Sequence, residues 1–353
     1  VRNSKILFLI AIAVIFGINL ISNQINPYYY QIIIYAGINI ILATSLNLIN
    51  GYTGQFSLGH AGFMAIGGYM SAIFSTYFAP FFINTLGNNT FGNSIWFLAV
   101  LIIGGIFAAI AGLIVGVPSL RLKGDYLAIT TLGFSEIIRV IIQSLDVIGA
   151  SQGFRGVYIY ENGTRSLEML SDVNNVNFTF YPIPHFTDFF WTFLFVAIII
   201  FGITNLMNST YGKGFIAVKD DEIAAEAMGI NTTKFKVTAF VLGAFFAGIA
   251  GGLYGHFVQY LNPEDFNFLR SVEIVTMVIL GGMGSTLGVF IAAIILTILP
   301  ELLRDVQEYR MIIYALLLVV MMLLRPQGIF GVKIHRKRKK FFRKQIQAND
   351  RSS

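Results

Sequence analysis

The chain has no cysteine, which excludes a disulfide, a thiolate nucleophile and a cysteine metal site. Charge is also scarce: Asp, Glu, Lys and Arg make up 12% of its 353 residues, roughly half the share of an ordinary soluble domain. Histidine stands only at 60, 185, 256 and 335, without metal-ligand spacing. No G-x-x-x-x-G-K-[ST] loop or nucleophile elbow is present. The expectation is therefore a non-enzyme with no metal and no cofactor of its own. Apolar residues are abundant instead, at 56% with a mean hydropathy of +0.71, and they come in runs near the length that spans a bilayer. That composition predicts an all-α polytopic membrane protein.

Ten runs read as spans: 6–22, 28–49, 58–80, 95–117 and 126–148, then 189–207, 236–260, 270–283, 286–303 and 311–324. An even number puts both termini on one side. Placing them in the cytoplasm gathers eighteen of the 24 basic residues inside and leaves five outside, as the positive-inside rule requires. The expected layout is a transmembrane domain over 1–332 and a basic cytoplasmic tail over 333–353. Within the first lie an external segment over 149–188 and a cytoplasmic loop over 208–235. The tail, His335 to Lys344, reads as an anchor on anionic lipid rather than a nucleic-acid site.

Glycine is placed in two ways. Gly104, Ala108, Gly112 and Gly116 form one ladder of small residues, and Gly243, Ala247, Gly251 and Gly255 form another, with Ala244, Gly248 and Gly252 beside it. Such faces let helix backbones approach closely within one subunit or across a dimer seam. Elsewhere, Asn50 to Tyr69 and Leu280 to Gly288 break apolar runs with glycine near the inner side. Paired breaks point to a substrate path, here with Gly54, Gln55, Ser57, His60, Gly281, Gly282 and Gly284 as candidates. Tight helix turns filled by glycine are the structural alternative. Glu136 and Arg139, three residues apart within one run, can pair with each other or contact a passing zwitterion, the structural pair being the favoured reading.

The charged stretch Ser209 to Asn231 lies between two apolar runs and must meet water. Its chemistry predicts a helix of about two turns, with Asp220 as N-cap, Asp221 and Glu222 in the first turn and Gly229 after the last. A helix so short needs a partner. The face of Ile223, Ala224, Ala227 and Ile230 suits another protein's groove or, equally, a lipid headgroup surface.

Several blocks then share a likeness. Asn47 to Ala72, NLINGYTGQFSLGHAGFMAIGGYMSA, resembles permease subunits of ABC importers for branched-chain amino acids, and Arg121 to Ile141 resembles the M-type rather than the H-type subunit. AVKDDEIAAEAMGIN, GGLYGHFVQYLNPEDF, EIVTMVILGGMGSTLG and the RPQGIFG before the tail continue the match. The resemblance implies a multi-pass protein of a prokaryotic cell membrane, paired with an H-type permease. Two cytoplasmic subunits that use ATP and an external binding protein complete the assembly it implies. It also makes the 208–235 loop a coupling element for the ATPase, through Asp221, Glu222, Ala224, Ala225 and Gly229. The family pattern E-A-A-x-x-x-G is met by Ala224, Ala225 and Gly229, while its glutamate position is Ile223 here and Glu222 comes one residue early. A permease for urea or short amides and an ion-coupled amino acid transporter are the alternative functions.

Overall fold

In the computed structural model the described residues are 2–22, 24–86, 89–120, 122, 124–160, 165–167, 178–303 and six single positions between 309 and 320. The predicted span 311–324 and the tail 333–353 lie essentially outside them. The apolar runs form helices because lipid offers no partner for backbone polar groups, and a helix satisfies them internally. In order these are α1 (Arg2–Ser22), α2 (Pro27–Asn47), α3 (His60–Tyr77), α4 (Ala79–Leu86), α5 (Thr90–Ser119) and α6 (Asp125–Ser144). There follow α7 (Phe189–Asn208), α8 (Thr210–Asp220), α9 (Glu222–Ala227), α10 (Thr232–Val258), α11 (Phe268–Gly281) and α12 (Thr286–Leu302).

Among the described residues, five helical runs are long and apolar enough to cross a membrane: Pro27–Tyr52, Phe91–Ser119, Asp125–Ser144, Phe189–Asn208 and Thr232–Val258. The chain is thus a helical, multi-pass membrane protein. Three details depart from the sequence reading. The short helix α4 follows α3 directly, α6 stops at Ser144, and segment 149–188 brings strands into a chain expected to be all-α. It carries a three-stranded antiparallel sheet, in the order β2-β1-β3, made of β1 (Gly156–Tyr160), β2 (Arg165–Ser166) and β3 (Phe178–Pro182). Tyr158 of β1 faces Phe180 of β3 in register. Aromatic cross-strand pairing stabilises such a small sheet. The segment is tied to the bundle where Phe154 and Leu261 exchange backbone hydrogen bonds of 2.8 and 3.0 Å.

The centre of the bundle is the close contact of α3, α5 and α10, and the two small-residue ladders make it. A Cβ at Gly104 would stand 2.6 Å from the Gly67 carbonyl oxygen, and one at Gly112 would stand 2.5 Å from the Ala244 Cβ. Gly248 lies against Ala108, where the same addition would leave 2.5 Å. The ladders therefore join helices of this one chain. Phe63, Phe240, Ala244 and Ala247 fill the remaining space and are fully buried, so lost side-chain contact at the glycines is replaced by backbone packing.

Candidate functional site

At the end of the bundle opposite the sheet, the two glycine breaks meet each other and the charged stretch. The end of α2 widens into a π-helical turn, Leu48–Tyr52, a feature that recurs at functional positions. Residues 54–59 then run without helix or strand to the start of α3. The second break, residues 282–285, joins α11 to α12. Asn47 clamps the two, its Oδ1 accepting from the Gly284 backbone N–H at 2.8 Å. The Tyr52 hydroxyl lies 2.7 Å from the Thr286 hydroxyl. Gly54, Gly282 and Gly284 take φ of +69°, +95° and +88°, a region that side chains with a Cβ enter only at a cost.

Lys219 links this junction to the charged stretch. Its ammonium donates to the Gly51 carbonyl, and its stem packs beside Gly54. Burial lowers the Lys219 pKa, an effect that neighbouring Asp220 opposes. A cavity of about 210 Å³ opens here, lined by Gly54, Gln55, Lys219, Glu222 and Lys236. The Lys236 ammonium, almost fully buried, pairs with the Glu222 carboxylate and ties α9 to the start of α10.

The stretch itself folds as two helices rather than one. Asp220 ends α8, and the cap of α9 is Asp221, whose Oδ1 accepts from the Ile223 and Ala224 backbone N–H groups at 2.9 and 3.0 Å. That corrects the cap expected at Asp220. Gly229, at φ +82°, lets the chain turn so that the Ile230 N–H donates to the Ala225 carbonyl at 3.0 Å, a helix stop that glycine favours. Ala224 and Ala227 are exposed, and Ile223 and Met228 are 76% and 82% exposed. Ala225, 5% exposed, turns into this chain instead, and Ile230 is half-buried.

The other path candidates take structural positions around the junction. The Ser57 backbone N–H donates to Asn50 Oδ1 at 3.1 Å, which pins the 54–59 segment. His60 is fully buried with Nε2 2.8 Å from the Ser45 hydroxyl, and its Nδ1 has no partner among the described residues. Gly281 brings α11 against α12, where a Cβ would stand 2.5 Å from the Val289 Cα.

With this arrangement in view, the sequence matches over residues 28–323 the family described as branched-chain amino acid transport system, permease component. The chain belongs to that family. This permease is 36% identical over 301 residues to the high-affinity branched-chain amino acid transport system permease protein LivM of Escherichia coli, a match covering 83% of this chain and 67% of the relative. The probable LivM of Methanocaldococcus jannaschii is 25% identical over 343 residues, covering 86% and 93%. The LivH protein of Escherichia coli is 33% identical over 143 residues, covering 40% and 46%. No solved structure matches.

Glu136 and Arg139 lie elsewhere in the permease, toward the C-terminal end of α6. They pair at 2.8 Å, and the guanidinium reaches Glu264 at 2.9 Å, which also accepts from Gln143 at 2.7 Å. Glu264 is 60% exposed. It belongs to the 3₁₀ turn Pro263–Phe266, so the group fastens α6 to the loop that follows α10. Sequence reasoning passed over Glu264 and Lys219 because their partners lie 125 and 168 residues away. The one available signal was that each is a charge flanked by apolar runs.

Proposed function

We propose that this permease is the M-type subunit of an ABC importer for branched-chain amino acids in a prokaryotic cell membrane. In this reading it crosses ten times with both termini in the cytoplasm. An H-type permease stands beside it, two ATPase subunits lie beneath it, and an external binding protein delivers the amino acid. Its similarity to LivM proteins runs over about twice as much of the chain as its similarity to LivH, which supports the M-type half.

The observation that carries the mechanism is the position of α9. It presents Ile223 and Met228 outward on the same short segment whose neighbour Lys219 holds the Gly51 carbonyl. ATP-driven closure of the ATPases displaces α8 and α9, and Lys219 passes that displacement to the π turn and to the 282–285 turn clamped by Asn47. Segments held by glycines at positive φ and few contacts absorb such motion as hinges. The permease itself needs only weak affinity, because the binding protein supplies selection and tight retention slows release.

A chain without cysteine allows a direct test. Ile223→Cys in native membranes, treated with a short thiol-to-amine crosslinker, traps an ATPase subunit. Trapping only lipid or this chain itself overturns the coupling role, and leucine uptake that survives ATP depletion but collapses with an ionophore replaces it with ion coupling.

A further inference from the structure

Away from the Lys219 junction, a second cavity of about 420 Å³ lies between α2, α3, α10, α11 and α12. Its volume falls within the roughly 300–1,000 Å³ typical of small-molecule sites. Asn39, on its wall, stands near the midpoint of the helical run Pro27–Tyr52. Four ionisable side chains nevertheless line it: Arg270, Asp265, Glu273 and Glu301. Arg270, in the first turn of α11, reaches inward to Asn39, and a charge brought that far into an apolar bundle is costly and marks a water-filled path or a ligand.

The side chains are held in place. Arg270 donates from Nη1 to Glu273 Oε2 at 2.8 Å and from Nη2 to Asn39 Oδ1 at 2.7 Å, and Asn39 donates in turn to the Thr297 hydroxyl at 2.9 Å. These bonds use two of the five guanidinium donors. Tyr28 donates to Glu301 at 2.6 Å, and Tyr254 to Asp265 at 3.1 Å. Met64, Met277 and Leu296 supply apolar lining to the same cavity. Three carboxylates and one guanidinium line the cavity, which leaves it short of a cation, while the guanidinium keeps donors open to an anion.

We propose that this cavity holds an aliphatic α-amino acid in transit. The carboxylate meets Arg270, the ammonium lies between Asp265 and Glu301, and the side chain rests on Met64, Met277 and Leu296. A zwitterion supplies the missing cation and its own anion together, so it enters without adding net charge at that depth. Thioether side chains adapt to branched aliphatic shapes. Affinity stays low because Glu273 already offsets part of the guanidinium charge that the substrate carboxylate meets. This inference rests on the amino acid importer reading above.

The test uses the complete importer in proteoliposomes, with Thr297→Cys as the one thiol in this chain and a small thiol reagent as probe. Thr297 lines the cavity and is partly exposed. Saturating leucine slows labelling about tenfold, as occupancy of a single site dictates. 3-Methylbutylamine, which lacks the carboxylate, does not. Adding Arg270→Gln raises the half-protecting leucine concentration about tenfold or more, the scale of a lost charge-assisted hydrogen bond. A half-protecting concentration unchanged in Arg270→Gln makes the arginine merely structural and overturns its contact with the substrate carboxylate. Pro300→Cys, also on the cavity wall, repeats the measurement at a second position. Labelling indifferent to leucine at both positions, while the unaltered importer takes up leucine with ATP, overturns the cavity site and leaves the importer reading standing. No ATP-dependent leucine uptake by the unaltered importer overturns that reading and the site with it.

Discussion

Glycine does opposite things at the two ends of its use in this permease. In the contact of α3, α5 and α10 it sits in ordinary helix, and its value is the missing side chain: Gly67, Gly104 and Gly248 leave room only for backbone. At the junction of the broken segments its value is conformational, because Gly54, Gly282 and Gly284 occupy positive φ. The first use makes a rigid centre and the second a pliable end. One residue type therefore builds both the part that must not move and the part that, in the proposed mechanism, must.

The difference is open to direct attack, and the largest effect belongs to the rigid centre. Gly248→Leu forces a side chain into Ala108 and the Gly104 carbonyl, and overpacking with no room to relax costs about 3 kcal/mol or more. The expected outcome is loss of folded permease from membranes, read by detergent-extracted yield and thermal unfolding. At the pliable end Lys219→Met removes the ammonium from the Gly51 carbonyl while keeping most of the stem. Uptake should fall about tenfold with near-normal amounts in the membrane, since one charge-assisted hydrogen bond is lost. Near-normal uptake in Lys219→Met removes the link between the stretch and the turn.

Gly284→Ala is intermediate. It imposes about 1–2 kcal/mol of left-handed strain, and Gly284→Asn, which tolerates that conformation better, should recover part of the lost uptake. Gly229→Ala isolates the conformational term alone, because nothing stands within 4 Å of the added Cβ. About 1 kcal/mol of local strain should loosen α9 and speed amide exchange there with little change elsewhere. Smallest of all is Arg139→Met: its partner Glu264 is 60% exposed, and such pairs contribute below about 1 kcal/mol. Uptake should change less than about twofold; a loss as large as that of Lys219→Met would make the Arg139 pair part of the transport path.

The sequence made some of this legible and hid the rest for identifiable reasons. Hydropathy and the four-residue ladders marked the helices and their packing faces, because burial in lipid and close helix approach act at fixed local spacing. The sheet of segment 149–188 was passed over because its strands are only five, two and five residues long, although the Asn162-Gly163 pair between β1 and β2 is a hairpin signal. The cap of α9 could not be chosen from sequence, because Asp220 and Asp221 are adjacent and equally able. Extension of α8 through Asp220 assigned the role to Asp221.

By itself, then, the sequence determined that this protein is a helical membrane permease, where its helices break and which faces are small enough to pack. Those properties follow from solvent and local geometry, which each segment meets alone. Only the tertiary structure decided that the two breaks touch, that Lys219 reaches Gly51, that Ala225 faces inward and that Arg270 stands beside Asn39. Those depend on helix rotation and on contacts between residues far apart in the chain, and no local pattern encodes the angle at which one helix meets another.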